Sequence, residues 1–300
     1  MLYPLPAEIA FSYAVQSFIS PGLTSLMIAF TWLGSPTVWI GLAMGLYWLQ
    51  YQKLAIRVLI LSVITAVFVE GFKTIFGRMR PGSDFVQLYN DGISTKSFPS
   101  GHATLASAQV MHLIRMEKAP ALFGLLGAAL VMGVAISRVY LGLHFVGDVI
   151  VGVLLGIVLG RAYVAAHEHK IIQSWKKKIQ SYKYVLLIMF ITLIGLGVML
   201  LQKEIGSIAA TLGFLVGFFL FEEENLEMKP LPFDGLNMVK VILGMFSTSL
   251  FVLLNWQLVG SVAGYGFVSF AVYFLAGIYA VSVYPWIWNV LVPKKIRTRS

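Results

Sequence analysis

The sequence predicts an all-α, polytopic membrane bundle: a core of about six helices followed by additional C-terminal transmembrane helices. Three observations carry that reading. Of the 300 residues, 58% are hydrophobic and 12% charged, against about 45–50% and about 25% in soluble domains. Mean hydropathy is +0.83. Apolar runs at 58–69, 122–136, 145–159, 184–201 and 267–284, taken with their flanks, approach or exceed the roughly 18 to 20 residues that cross a bilayer as a helix. The strand-length alternation of a membrane barrel is absent from these runs.

Taken in order, residues 4–33 read as two short helices broken at Ser20-Pro21-Gly22. Polar residues are mixed into them (Glu8, Ser12, Gln16, Thr24, Ser25), which suits an interfacial position as well as a crossing. The first residues lack the basic region of a cleavable signal peptide, so a retained N-terminus is expected. Gly34-Ser35-Pro36 breaks the helix again, and 37–50 is the first expected span. A second span over 54–76 leads into a polar stretch, 77–99, and then into helices at 101–115 and 120–139. Residues 144–164 form another span, followed by a basic segment, 161–183, that contains Lys176, Lys177 and Lys178. Apolar segments at 184–201, 206–221, 238–257 and 266–290 complete the chain, punctuated by Glu222-Glu223-Glu224 and a basic tail over 294–299. The expected division is a core over 1–183, including the N-terminal interfacial helices, and additional transmembrane helices over 184–300.

The charge distribution orients these spans. Net charge is +9 and the isoelectric point is about 9.6. With sides assigned alternately, the side holding 51–57, 115–119, 161–183, 222–240 and the C-terminus collects 16 of the 22 lysines and arginines. Basic loops stay cytoplasmic, and acidic residues contribute little to that rule. Lys73, Arg78, Arg80, Lys96, Arg138 and Lys203 are therefore expected on the non-cytoplasmic side, and the C-terminus on the cytoplasmic side. Dispersal of the basic residues over separate loops excludes a phosphate-tracking nucleic-acid surface. The chain has no cysteine, which excludes disulfides and thiolate metal sites.

Polar residues with chemical capacity converge on that outer side. Ser137 to Asp148 places Arg138, His144 and Asp148 between two apolar runs. His144 and Asp148 are i and i+4, so a helix beginning at or before His144 stacks them on one face. A carboxylate there holds one imidazole nitrogen and leaves the other as a nucleophile. Pro99-Ser100-Gly101-His102 reads as a helix entry with Ser100 as N-cap. The unpaired N–H groups of such a helix start favour an oxyanion, and His102 is placed to donate a proton to a leaving oxygen. Lys73, Arg80 and Arg138 supply positive charge, the arginines through a bidentate fork that matches phosphate. No magnesium or zinc cage is expected, because Asp148 serves His144 and Asp84 and Asp91 lack ligand spacing. The set suits phosphoryl transfer without a metal or other cofactor.

Lys73-x6-Arg80-Pro81, Pro99-Ser100-Gly101-His102 and Ser137-Arg138-x5-His144-x3-Asp148 together resemble the three-part signature of the type 2 phosphatidic acid phosphatase superfamily, with no motif position departing from it. The likeness covers about residues 70–150 and says little about 184–300. It implies a helical core of phosphatidic acid phosphatase/haloperoxidase type over 1–183 and a substrate that is a membrane lipid phosphate or diphosphate. It also implies that His144 attacks phosphorus to give a phosphohistidine, with Asp148 supporting it and His102 protonating the leaving group. Lys73, Arg80, Ser100, Gly101 through its backbone N–H, and Arg138 then hold the phosphoryl oxygens. Two other readings share these residues: a phosphotransferase passing the phosphoryl group to another lipid, and a lipid-binding or transport protein on a degenerate scaffold, which would show eroded motifs. A haloperoxidase is disfavoured by the surrounding spans.

Plainer roles are expected for other residues. Lys73, taken alone, is a snorkelling lysine paired with Glu70 one turn earlier. His112 reads as packing, His167 and His169 as solvated, and Arg78 as a neighbour of the first motif. Trp32, Trp39, Trp48, Trp256, Trp286 and Trp288 read as an interfacial belt.

Overall fold

The structure, a computed structural model, describes residues 3–82, 85, 86, 88, 89, 96–116, 120–168, 209, 211–217, 231–259 and 265–292. The expected span at 184–201, most of that at 206–221, the lysine run at 176–178, His169, the acidic loop 222–224 and the basic tail lie outside the described residues. Regular structure among the described residues is helical, apart from an isolated bridge between Met79 and Lys96.

The helices are α1 (Pro6–Gln16), α2 (Pro21–Leu33), α3 (Pro36–Trp48), α4 (Gln52–Phe76), α5 (Gly101–Met116), α6 (Ala121–Tyr140), α7 (Val146–Glu168), α8 (Gly235–Val259), α9 (Tyr265–Ile278) and α10 (Tyr284–Leu291). A π-helical turn, Tyr279–Val283, joins α9 to α10. Proline opens α2 and α3, where its missing N–H is no loss. Among the described residues five stretches are long and apolar enough to cross a bilayer: Gln52–Phe76, Ala121–Tyr140, Val146–His167, Gly235–Leu258 and Val268–Leu291. Helices α2 and α3, bent by 57° at their junction, form a sixth candidate. The chain is an integral membrane protein.

The chain divides into two compact units, residues 1–39 with 60–178, and residues 40–59 with 179–300. In the first, α5 runs through the middle, with Ala103 to Gln109 buried on every side. Its closest neighbour is α7, which presents Gly152, Gly156 and Gly160 to it at helical spacing. A Cβ at Gly152 would stand 2.8 Å from the Ser100 carbonyl oxygen, and one at Gly160 would stand 2.6 Å from that of Ala108. At Gly156 it would collide with Ser107 Oγ and the Thr104 carbonyl. Small residues at i, i+4 and i+8 let two backbones approach where lipid supplies no hydrophobic drive. Apolar contacts among Ala103, Ala106, Val131, Val134, Ala135, Val139 and Val149 bind α6 to this pair.

Helix α1 is polar inward and apolar outward. Glu8 and Ser12 are buried, while Leu5, Phe11 and Tyr13 are exposed, as suits a helix whose surroundings are lipid and whose partner is a polar site. The break expected at Ser20-Pro21-Gly22 falls between α1 and α2.

Burial in both units corrects part of the tryptophan belt, and Trp48, Trp256, Trp286 and Trp288 belong to the second unit. Trp39, Trp48 and Trp288 are buried, whereas Trp32, Trp256 and Trp286 are exposed. Within this unit Trp48 Nε1 donates to the Ala280 carbonyl at 2.7 Å, next to carbonyls loosened by the π turn, and its ring packs edge-on against Tyr284. A buried indole N–H needs such an acceptor, which a mid-helix carbonyl rarely offers.

Candidate active site

The third motif is built on a tight turn between α6 and α7. Gly142 adopts φ +73, a left-handed conformation that suits glycine. The chain folds back so that the N–H groups of Leu143 and His144 both donate to the Arg138 carbonyl, at 3.1 and 3.2 Å. Because α7 begins only at Val146, His144 stands ahead of the helix, and the expected stacking on one helical face is not how the pair forms. Asp148 instead reaches back from the first turn of α7. Its Oδ2 accepts the Phe145 N–H at 2.9 Å and lies 3.5 Å from His144 Nδ1. This is the half of a capping box in which a first-turn carboxylate satisfies a backbone donor preceding the helix. His144 is 2% exposed and Asp148 0%.

The second motif is anchored to the third through the main chain. Ser100 N–H donates to the Asp148 carbonyl at 3.0 Å. The Ser100 carbonyl accepts from Thr104 N–H at 3.0 Å and from Thr104 Oγ1 at 2.8 Å. Ser100 Oγ is buried and has no hydrogen-bond partner among the described residues, which corrects the expected side-chain N-cap. The residue is held from outside its helix, by α7, and its hydroxyl is not spent on capping. Gly101 is the first residue of α5 and His102 the second. The bend between α2 and α3 presses on His102: a Cβ at Gly34 would lie 3.1 Å from His102 Cβ and 2.6 Å from Val134 Cγ1.

The first motif is more spread out. Lys73 lies buried in the last turn of α4, and its Nζ donates to Glu70 Oε1 at 2.6 Å. The i,i+3 pairing expected of Lys73 taken alone is therefore present. Arg80 follows the helix end at Gly77 and is half-buried. Arg138 is fully buried near the end of α6, where Nη1 donates to Thr31 Oγ1 of α2 at 2.9 Å.

Two residues that the motifs do not contain complete the arrangement. Arg78 Nη1 donates to Asp148 Oδ1 at 2.8 Å and Nη2 to Glu8 Oε2 at 2.5 Å. Glu8 Oε1 also accepts the Gly147 N–H at 2.9 Å. Arg78 read as a bystander in the sequence and Glu8 as part of an interfacial helix. A signal for Glu8 was present: a carboxylate with Ser12 four residues on marks a polar stripe on an otherwise apolar helix. His112 behaves as packing, buried with its ring edge-on to Tyr163 at 5.4 Å.

Asp148 is thus the junction of the site: its backbone holds Ser100, while its carboxylate meets Arg78, the Phe145 N–H and His144. Comparison with known proteins agrees with the motifs. The model of the PAP2 superfamily matches residues 55–172, a stretch that includes every motif residue. Over 165 residues the chain is 30% identical to phosphatidylglycerophosphatase B of Bacillus subtilis, covering 51% of this chain and 79% of that protein. Over 138 residues it is 34% identical to undecaprenyl-diphosphatase of Sulfolobus acidocaldarius, covering 45% of this chain and 66% of that protein. Among solved structures it is similar to a transmembrane PAP2 type phosphatidylglycerolphosphate phosphatase from Bacillus subtilis, at 29% identity and TM-score 0.48, covering 54% of this chain and 85% of that one. From its three intact motifs and its 30% identity to phosphatidylglycerophosphatase B over 79% of that protein, the chain belongs to the PAP2 superfamily.

Proposed function

We propose that this protein hydrolyses the phosphate of a membrane lipid, a phosphate monoester or diphosphate of the kind its relatives' names describe, at the non-cytoplasmic face of the bilayer. The observation that carries the reading is the contact between His144 Nδ1 and Asp148 Oδ2 at 3.5 Å, alongside the cations and hydrogen-bond donors of the three motifs. With Nδ1 directed to the carboxylate, Nε2 is the attacking nitrogen. It forms a bond to phosphorus as the bond from phosphorus to the leaving oxygen breaks, and His102 gives that oxygen its proton. Water then attacks the phosphohistidine, His102 takes up the water proton, and inorganic phosphate leaves. Lys73, Arg80, Arg138, the Ser100 hydroxyl and the N–H groups opening α5 stabilise the charge on the phosphoryl oxygens. These groups supply the positive charge that a metal ion provides in other phosphatases, and Asp148 is committed to Arg78 and His144. The non-cytoplasmic face is supported by the bias of 16 of 22 basic residues to the opposite side. Glu70 beside Lys73 is compatible with the reading, since the ammonium has three donors.

The test is phosphate release by the purified protein, in detergent and EDTA, from phosphatidate, phosphatidylglycerophosphate, sphingosine phosphate and undecaprenyl diphosphate. His144→Ala is expected to abolish turnover and any acid-labile phosphoenzyme, and Asp148→Asn to lower kcat by about 100-fold or more. Normal phosphate release by His144→Ala would remove the nucleophile assignment. Dependence of activity on added magnesium would remove the metal-free mechanism. Repeating the assay with an acceptor lipid separates hydrolysis from transfer, because a phosphotransferase yields phosphorylated acceptor in place of phosphate.

A further inference from the structure

Arg78 and Glu8 lie outside the motifs, yet they complete the surroundings of Asp148. A carboxylate taken out of water forfeits several kcal/mol of hydration unless a counter-charge and hydrogen bonds replace it, and Asp148 is fully buried. His144 cannot be that counter-charge in the attacking state, because a nucleophilic imidazole is neutral. Arg78 is the permanent cation. It takes Oδ1 at 2.8 Å and leaves Oδ2 to the Phe145 N–H and His144.

The guanidinium is itself held on several sides. Glu8 Oε2 is 2.5 Å from Nη2, and Cζ stands 5.0 Å from the centroid of the Phe145 ring. The Arg78 carbonyl accepts the Ser97 N–H at 2.7 Å, and the Met79 carbonyl accepts Ser97 Oγ at 3.0 Å. Glu8 is fixed in turn, since Oε1 accepts from Gly147 N–H at 2.9 Å and Oε2 from Leu5 N–H at 2.7 Å. A Cβ at Gly147 would meet Glu8 Oε1, so glycine before Asp148 leaves the Glu8 carboxylate room to stand where it does. A row of alternating charge runs from Glu8 through Arg78 to Asp148 and ends on the imidazole of His144.

We infer that Glu8 and Arg78 are positioning residues for phosphoryl transfer: they fix the place and the charge of the Asp148 carboxylate, and through it His144, which makes α1 a working part of the active site. The inference rests on the function proposed above. Both residues act through Asp148. A direct grip of Arg78 on the substrate phosphate makes the opposite kinetic prediction, because it adds to binding independently of Asp148.

The experiment is a mutant cycle on the full chain in detergent, assayed with phosphatidylglycerophosphate and undecaprenyl diphosphate. Arg78→Gln is expected to lower kcat by about 100-fold with KM within about twofold, the sign of an interaction that matters in the transition state and not in ground-state binding. Arg78→Lys restores part of the loss, because it returns the charge without the fork. Glu8→Gln, which keeps an acceptor for the Gly147 N–H, lowers kcat by about 10-fold with the melting temperature little changed, and keeps the test open should Arg78→Gln fold poorly. In an Asp148→Asn background each of these changes is expected to cost less than about twofold further, the non-additivity of residues acting through one another. The inference is overturned by a raised KM with kcat retained, by losses that multiply in the Asp148→Asn background, or by an Asp148→Asn enzyme with wild-type kcat. If His144→Ala is inactive while the Glu8 and Arg78 variants match wild type, only this inference fails. If His144→Ala is active, the function it rests on fails.

Discussion

Ser100 carries a hydroxyl that is buried and, among the described residues, bonded to nothing. Leaving such a group unpaired costs about 1–3 kcal/mol, while its backbone is tied firmly to α7. A phosphoryl oxygen at the start of α5 would satisfy it. Ser100→Ala is therefore expected to keep or raise the melting temperature while raising KM by about 10-fold, the loss of one hydrogen bond to a charged group. A fall in stability with unchanged kinetics would assign the hydroxyl to the fold. The chemistry of this site was legible in the sequence because residue type and order survive in a string: His144 with Asp148 four residues on, Ser100 before a helix, cations before each. The geometry between them was less so. Pairing of His144 with Asp148 uses a turn and a first-turn carboxylate in place of a helical face, and spacing alone does not distinguish the two. The polar stripe of Glu8 and Ser12 was legible, but the partners of Glu8, 70 and 139 residues away, were not.

Among the elements, the pairing of α5 with α7 decides whether the motifs meet at all. Ser100 and Asp148 sit at the adjoining ends of these helices, and the Gly152, Gly156 and Gly160 stripe sets how close the ends come. Gly156→Val drives a side chain into Ser107 and Thr104 and is expected to cost about 1–3 kcal/mol or more, read as a melting temperature lowered in detergent. Gly152→Ala presses on the Ser100 carbonyl, 2.8 Å from the new Cβ, and is expected to lower turnover further than stability. A lowered melting temperature with turnover unchanged would show that the helix ends can shift without consequence for the site. Helix boundaries were readable from proline, glycine and hydropathy, since those signals are local. Which helix the glycine stripe faces was not, because the spacing names a surface and no partner. The tryptophans misled for a related reason: an amphipathic ring suits both an interface and a core with a spare carbonyl.

At the scale of the whole molecule, the charge asymmetry makes a directional prediction. Sealed vesicles of known orientation, given a water-soluble short-chain lipid phosphate, should release phosphate only when the non-cytoplasmic surface faces outward. Equal release from both orientations would remove the assigned face. The all-helical, membrane-spanning class was the most legible property, because a bilayer requires about 20 apolar residues per helical crossing and the sequence shows them. Grouping of residues 40–59 with 179–300 left no such trace, since nothing in α3 or α4 marks a change of neighbours.

The inward-facing polar stripe of α1 bears on the order of assembly. Glu8 leaves the ribosome long before Arg78 and Gly147, whose contacts it makes across 70 and 139 residues of chain. Until the first turn of α7 exists, neither partner arrangement can be complete, so α1, made before α4 and α7, settles only after them. Contacts of such long sequence separation are slow to form. A nascent chain halted before residue 146 would therefore hold two of its three motifs and still lack both its nucleophile's support and the seat for α1.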